Sequence, residues 1–243
     1  MKKVLLLSVV ALGMLSSCSC SGLKVRYSKT DPQAMHERDL KGFERIEMLG
    51  SLDVKYQQAD SFSVRVEAPV EVLHDVETHV AGNKLVVRMK GEGDIINLGV
   101  SDADDVTVYV TSPDFLGIEL KGSGDFESNG LVDTDNLDIT LNGSGDIKFD
   151  DIICDRIHVS LVGSGDVDVK NVKTLWAGVH LVGSGDVKMR LDDSGTVETN
   201  LTGSGDITLS GDVKTYKSSV RGSGDMHTVG LRISKENIEM NEK

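Results

Sequence analysis

The sequence predicts an all-β protein: a right-handed parallel β-helix (β-solenoid) with rungs of about 20 residues and a less regular N-terminal portion. Three observations predict it. Gly-Ser-Gly-Asp occurs six times, beginning at Gly122, Gly143, Gly163, Gly183, Gly203 and Gly222, with spacings of 21, 20, 20, 20 and 19 residues, and a fixed period of this length marks a solenoid. Aligned on that first glycine, the position two residues earlier is always aliphatic: Leu120, Leu141, Leu161, Leu181, Leu201, Val220. The position four residues later reads Phe126, Ile147, Val167, Val187, Ile207, Met226, and the one beyond it is polar, so the alternation has the period of a strand rather than a helix.

The chain divides in order. Residues 1–17 read as a lipoprotein signal peptide, because Lys2 and Lys3 precede an apolar run over 4–15 that is too short to remain as a bilayer span. Leu15-Ser16-Ser17-Cys18 resembles the bacterial lipobox, which assigns lipidation to Cys18 and makes it the mature N-terminus. Residues 18–41 are expected to be a polar tether. Residues 42–231 are expected to form the solenoid, with irregular rungs or a cap over 42–115 and regular repeats over 116–231. Residues 232–243 are a polar tail, either a short cap or frayed.

Each regular repeat is expected to hold a short strand, a Gly-Ser-Gly-Asp corner, a second strand and a variable return. One such unit cannot bury its own apolar face, so the copies must stack at the strand separation of about 4.8 Å and share one aliphatic core. Polar columns stack with them. Glu127, Lys148, Asp168 and Lys188 alternate in sign and would form a mildly stabilising ladder.

The aspartate column is different. Asp125, Asp146, Asp166, Asp186, Asp206 and Asp225 would place like charges at the strand spacing, at about 1 kcal/mol of repulsion per neighbour in water and roughly 3 to 4 at an effective dielectric of 20. The favoured compensation is capping of backbone N–H groups of each carboxylate's own corner, as in Asx-turns. The other is a cation ladder of Ca²⁺, disfavoured because one carboxylate per rung falls short of six to eight oxygen ligands. No cofactor and no metal site are therefore expected.

In the N-terminal part, Ile46, Met48, Gly50, Asp53, Val54 and Tyr56 fit the repeat frame as a worn copy. Gly91-Glu92-Gly93-Asp94, with Val87 and Met89 before it, fits as a second, 41 residues on, or two rungs later.

With the corners and the lipobox in view, the chain resembles a bacterial family of auto-transporter adhesin-like proteins, the head GIN domain family, over 42–231. The six corners with their preceding Leu and following Ile or Val carry the likeness, together with the opening segment Phe43-Glu44-Arg45-Ile46-Glu47-Met48-Leu49-Gly50-Ser51-Leu52-Asp53-Val54. The resemblance implies a β-solenoid in an exported or lipoprotein setting and transfers no catalytic residue.

Function classes narrow from charge and motif. A formal net charge of −13 argues against nucleic acid, which releases counterions only to clustered Lys and Arg. Phosphate-loop and nucleophile-elbow patterns are absent, and no catalytic residue is assigned. Cys154 follows Ile152 and Ile153 within a repeat and is expected to pack as a small hydrophobe. His74 and His79, flanking Asp75 and Glu77, have a spacing that suits neither one helical face nor one side of a strand, so no metal is assigned to them. Trp176 and Tyr216, each thirteen residues after their repeat's first glycine, are expected in one column two rungs apart, as a glycan platform or, preferred, as packing of the return turn.

The expected function is a non-enzymatic cell-envelope lipoprotein acting as an adhesion or interaction scaffold through outward faces of the solenoid. The alternative is a polysaccharide-active lyase or hydrolase of the envelope. Its membrane contact is expected through the lipid anchor alone, at the outer membrane and facing the periplasm by default, with surface exposure and oligomerisation left open. The ligand, protein or glycan, is not identified.

Overall fold

The protein, described here from a computed structural model, is defined over residues 33–91, 106–234 and 239–240. Cys18, the signal peptide, most of the Gly91 copy and most of the tail lie outside the described residues. The strands are β1 (Gln33–Arg38), β2 (Arg45–Gly50), β3 (Asp53–Gln58), β4 (Ser63–Pro69), β5 (Val76–Ala81), β6 (Lys84–Met89), β7 (Thr107–Ser112) and β8 (Gly117–Gly122). The long coils follow: β9 (Phe126–Gly143), β10 (Asp146–Gly163), β11 (Asp166–Gly183), β12 (Val187–Gly203), β13 (Ile207–Gly222), β14 (Met226–Ile233) and the short β15 (Glu239–Met240).

From β9 to β14 each strand pairs in parallel with the next in sequence, which makes the molecule a β-solenoid of about six turns. The pairing register is the one the repeat frame demands. Leu161 lies between Leu141 and Leu181, and Gly163 between Gly143 and Gly183, so identical positions stack from coil to coil. Leu120, Leu141, Leu161 and Leu181 are fully buried, as are Phe126, Ile147, Val187 and Ile207. The column ends at Val220, which is 40% exposed; among the described residues, β15 covers only Lys217 and Ser218 of the second half of β13. The polar tail thus supplies a strand fragment to the last coil.

The N-terminal part departs from simple stacking. β2 lies between β6 and β8, with Met48 opposite both Val87 and Leu120, and β3 lies between β7 and β9. The first worn copy therefore adjoins the regular repeats, and the strands around the second sit one step outside it rather than two rungs further along. The end is then closed by antiparallel strands: β5 on β6, β4 on β7, and β1 on β4. Antiparallel partners occupy backbone groups that an open parallel edge would expose. β1 falls within the stretch expected to be tether; Ala34 and Arg38, half-buried, settle it against β4.

Where cap and repeats meet, the core turns aromatic. Tyr56 stacks on Phe115 at 4.1 Å between centroids, and Phe115, Phe126 and Phe149 continue the cluster at 5.4 to 6.3 Å. The Tyr56 hydroxyl, inside this cluster, meets the Ser112 hydroxyl at 3.0 Å. Burial pushes its phenol up to about 12, and the folded state holds the proton more tightly than the unfolded chain does. That contribution, about 2 to 3 kcal/mol, is complete below the unfolded value near pH 10 and is lost as pH rises through the folded value. Denaturation titrations at pH 9 and pH 11.5 are expected to show a larger loss of stability for the wild type than for Tyr56→Phe. Equal losses would contradict this role.

Candidate functional site

The corner is built from contacts between coils. The carbonyl of each first glycine accepts two N–H groups from the next coil: Gly143 O takes Ser164 N at 3.0 Å and Gly165 N at 3.2 Å, and Gly163 O takes Ser184 N and Gly185 N at 2.9 and 3.3 Å. The aspartate takes the third. Asp125 N donates to Asp53 Oδ1, Asp146 N to Asp125 Oδ1, Asp166 N to Asp146 Oδ1, Asp186 N to Asp166 Oδ1, Asp206 N to Asp186 Oδ1 and Asp225 N to Asp206 Oδ1, all at 3.0 to 3.3 Å. Each carboxylate from Asp125 to Asp206 thus caps the following coil's corner, not its own as the Asx-turn reading expected. The reason is directional: the side chain leaves the corner along the solenoid axis, where the next aspartate's N–H has no strand partner to use.

The like-charge stack is also offset from outside the column. Lys148 Nζ reaches Asp146 Oδ2 at 3.1 Å, and His227 Nε2 lies 3.3 Å from Asp206 Oδ2. The Asp225 N–H first, and then the His227 ring, hold the Asp206 carboxyl below the usual carboxylate range. Asp206, Asp225 and His227 are the one set of metal-ligand type among the described residues, with ligand atoms within 4.8 Å of one another. A direct test of capping is Asp166, whose Oδ1 serves Asp186. Asp166→Asn keeps an acceptor oxygen and removes a charge, so stability is expected unchanged or slightly raised, whereas Asp166→Ala is expected to cost about 1 to 2 kcal/mol. Chelator is expected to leave the melting temperature unmoved; a reversible chelator effect with a destabilised Asn variant would replace capping by a cation ladder.

The other candidates separate. The charge column is in register, with Glu127, Lys148, Asp168 and Lys188 successively opposite one another. Cys154 is buried and 3.5 Å from Thr174 Oγ1, and burial pushes its thiol up, away from the reactive thiolate. His74 faces Asp75 at 3.4 Å while Glu77 pairs with Arg88 at 3.0 Å, so the two histidines and two carboxylates do not converge.

Trp176 and Tyr216 do not share a column. Trp176 stacks on Thr196, and Thr196 on Thr215, whereas Tyr216 stacks on Val197 in an inward row with Ala177 and Ile157. The return of β13 is one residue shorter than that of β12, where the register shifts between Leu191 and Ser194, and one residue turns a side chain to the other face. Tyr216 is buried with its hydroxyl 3.2 Å from Thr199 Oγ1; it belongs to the core. Trp176 is half-buried on the outward face, with the Arg156 guanidinium 5.5 Å from its ring centroid.

That outward face is continuous. One row runs Lys84, Arg45, Gly117, Asp138, His158, Gly178, Glu198, Lys217 across eight strands. Around Gly117 lies a cleft of about 250 Å³ lined also by Arg45, Lys84, Glu119, Asp138, Thr140 and His158. Its carboxylates are engaged: Arg45 meets Asp138 at 2.8 Å and Lys84 meets Glu119 at 3.1 Å. Lys121, followed by Lys84, holds the Glu119 carboxyl below its usual range, which suits an ion-pair partner and not a general acid at neutral pH. No sequence signal marked this cleft, because Gly117 lies outside the repeated corners.

Over residues 42–230 the sequence matches the family described as putative auto-transporter adhesin, head GIN domain. The chain belongs to this family. Solved structures share the family's fold. A putative adhesin from Bacteroides fragilis is 20% identical with a TM-score of 0.68, covering 84% of this chain and 100% of that one. A putative lipid binding protein from Parabacteroides distasonis is 18% identical with a TM-score of 0.65, covering 87% and 100%. A putative adhesin from Parabacteroides merdae is 17% identical with a TM-score of 0.54, covering 84% and 98%. No curated protein matches the chain. Among the described residues no helix is long and apolar enough to cross a membrane.

Proposed function

We propose that the protein is a non-enzymatic lipoprotein of the cell envelope, anchored through Cys18, that works as an adhesion scaffold through the outward face of its solenoid. The observation that carries this reading is the unbroken register of the outward row across eight strands, which presents side chains at the strand repeat of about 4.8 Å and suits an extended partner. Membership of an adhesin-described family and the ion-paired carboxylates of the Gly117 cleft support it.

Fractionation and surface shaving test it together. Wild-type protein is expected in the membrane fraction and Cys18→Ser in the soluble fraction, since a thiol is what the acyl transfer requires. An adhesion scaffold must stand on the cell surface rather than face the periplasm, so protease treatment of intact cells is expected to remove the protein and with it cell attachment to immobilised glycans or host proteins. Attachment unchanged after deletion of the protein, or turnover of any polysaccharide by the purified chain, would overturn the reading.

A further inference from the structure

The outward face holds an aromatic and cationic patch that the scaffold role alone does not require. Trp176 leans across Gly178: a methyl at that glycine would lie 2.2 Å from the indole Cη2, so the absence of a side chain there is what lets the ring settle on the sheet. Arg156 stands over the same ring. His158 is opposite Gly178 on one side and Asp138 on the other, and it also lines the Gly117 cleft, so cleft and indole form one surface. From Gly117 to Gly178 is three strand steps, about 14 Å.

The charges are unevenly matched along that surface. Arg45 and Lys84 are paired with carboxylates at the cleft. Arg156 has no ion pair among the described residues, in a chain whose formal net charge is −13. An indole that offers a π surface, a guanidinium above it able to take a carboxylate with two N–H groups, and neighbouring hydroxyl and imidazole groups make a set that matches a pyranose ring bearing a carboxylate. A neutral sugar would use the stacking and leave the guanidinium unanswered.

Resting on the adhesion reading, we propose that Trp176 and Arg156, with His158 and the Gly117 cleft, form the ligand site of the scaffold, and that its ligand is a short run of uronic acid residues in an acidic glycan. The ring stacks on Trp176 and its carboxylate is held by Arg156. Tyr216 takes no part.

Trp176 is the one tryptophan of the sequence, so its fluorescence reports on the site directly. The full mature chain is titrated with trigalacturonic acid and with its uncharged methyl ester, by calorimetry and by tryptophan emission in parallel. Expected are saturable binding of the acid with a matching change in emission, binding of the ester at least tenfold weaker, and at least tenfold loss in Arg156→Glu with an unchanged melting curve. Trp176→Ala is expected to abolish binding; Arg156→Glu keeps the test sound should the alanine variant melt early. No binding of the acid, binding without a change in emission, equal binding of the ester, or full binding by Arg156→Glu would each overturn the site. Should cells still adhere through the protein when any of these is found, the site falls and the scaffold reading stands; loss of adhesion on deletion of the protein is the separate measure of that reading.

Discussion

Leu161→Asp is expected to abolish cooperative folding. Leu161 is fully buried and stacked between Leu141 and Leu181 at the centre of the regular coils. Truncating such a leucine costs about 2 to 5 kcal/mol, and a carboxylate left there without a partner adds several more or must take up a proton. Together these approach the whole stability of an ordinary domain, about 5 to 15 kcal/mol. Circular dichroism is expected to lose its strand signal and its melting transition, while Leu161→Met, similar in volume, is expected to cost under about 1.5 kcal/mol. A Leu161→Asp protein that melts like the wild type would refute the stacked core.

Gly165→Ala is the second large effect, and it arises from backbone rather than side-chain packing. A methyl at this second corner glycine would stand 1.9 Å from Gly145 O and 2.9 Å from the Ser144 carbonyl carbon, both in the preceding coil's backbone. Neither atom can swing aside, so the coils must part, and the two N–H bonds from Ser164 and Gly165 to Gly143 O would stretch with them. A loss above about 3 kcal/mol is expected in chemical denaturation. Gly130→Ala is the comparison: its φ of +80° is strained for alanine, yet nothing lies within 4 Å of the added carbon, so about 1 to 2 kcal/mol is expected. Similar costs at the two sites would mean that corner glycines serve backbone conformation and not the approach of coils.

Much of the solenoid could be read from residues alone because stacking makes like positions touch. Once Gly122 to Gly222 were aligned, Leu161 over Leu141 and Lys148 over Glu127 followed without any three-dimensional information. What escaped depends on events shorter than the repeat. The one-residue contraction before Val213 turns Tyr216 inward, and offset counting from Gly203 does not register it. The direction of the aspartate bonds escaped for another reason: a carboxylate one residue from a turn suits its own corner and its neighbour's equally well by sequence, and only the axial lean of the side chain decides. At the N-terminus, the order β6, β2, β8 cannot be derived from spacing, because a chain that returns past its starting strand has the same period as one that moves forward. The indole site was half visible. Trp176 stood out by its place thirteen residues after Gly163, but its surroundings, Gly178, Arg156 and the Gly117 cleft, come together only through parallel pairing.

The three corner bonds passed from each coil to the next make the rod modular. Every 20-residue unit brings N–H donors for the coil before it and a glycine carbonyl and an aspartate carboxylate for the coil after it, so the interfaces above and below are interchangeable. A unit gained or lost between Gly183 and Gly203 leaves the aromatic junction and the antiparallel closure as they were. Its sole geometric result is a change in length of about 4.8 Å. Length is thereby separable from the chemistry of the N-terminal closure, and can change without touching it.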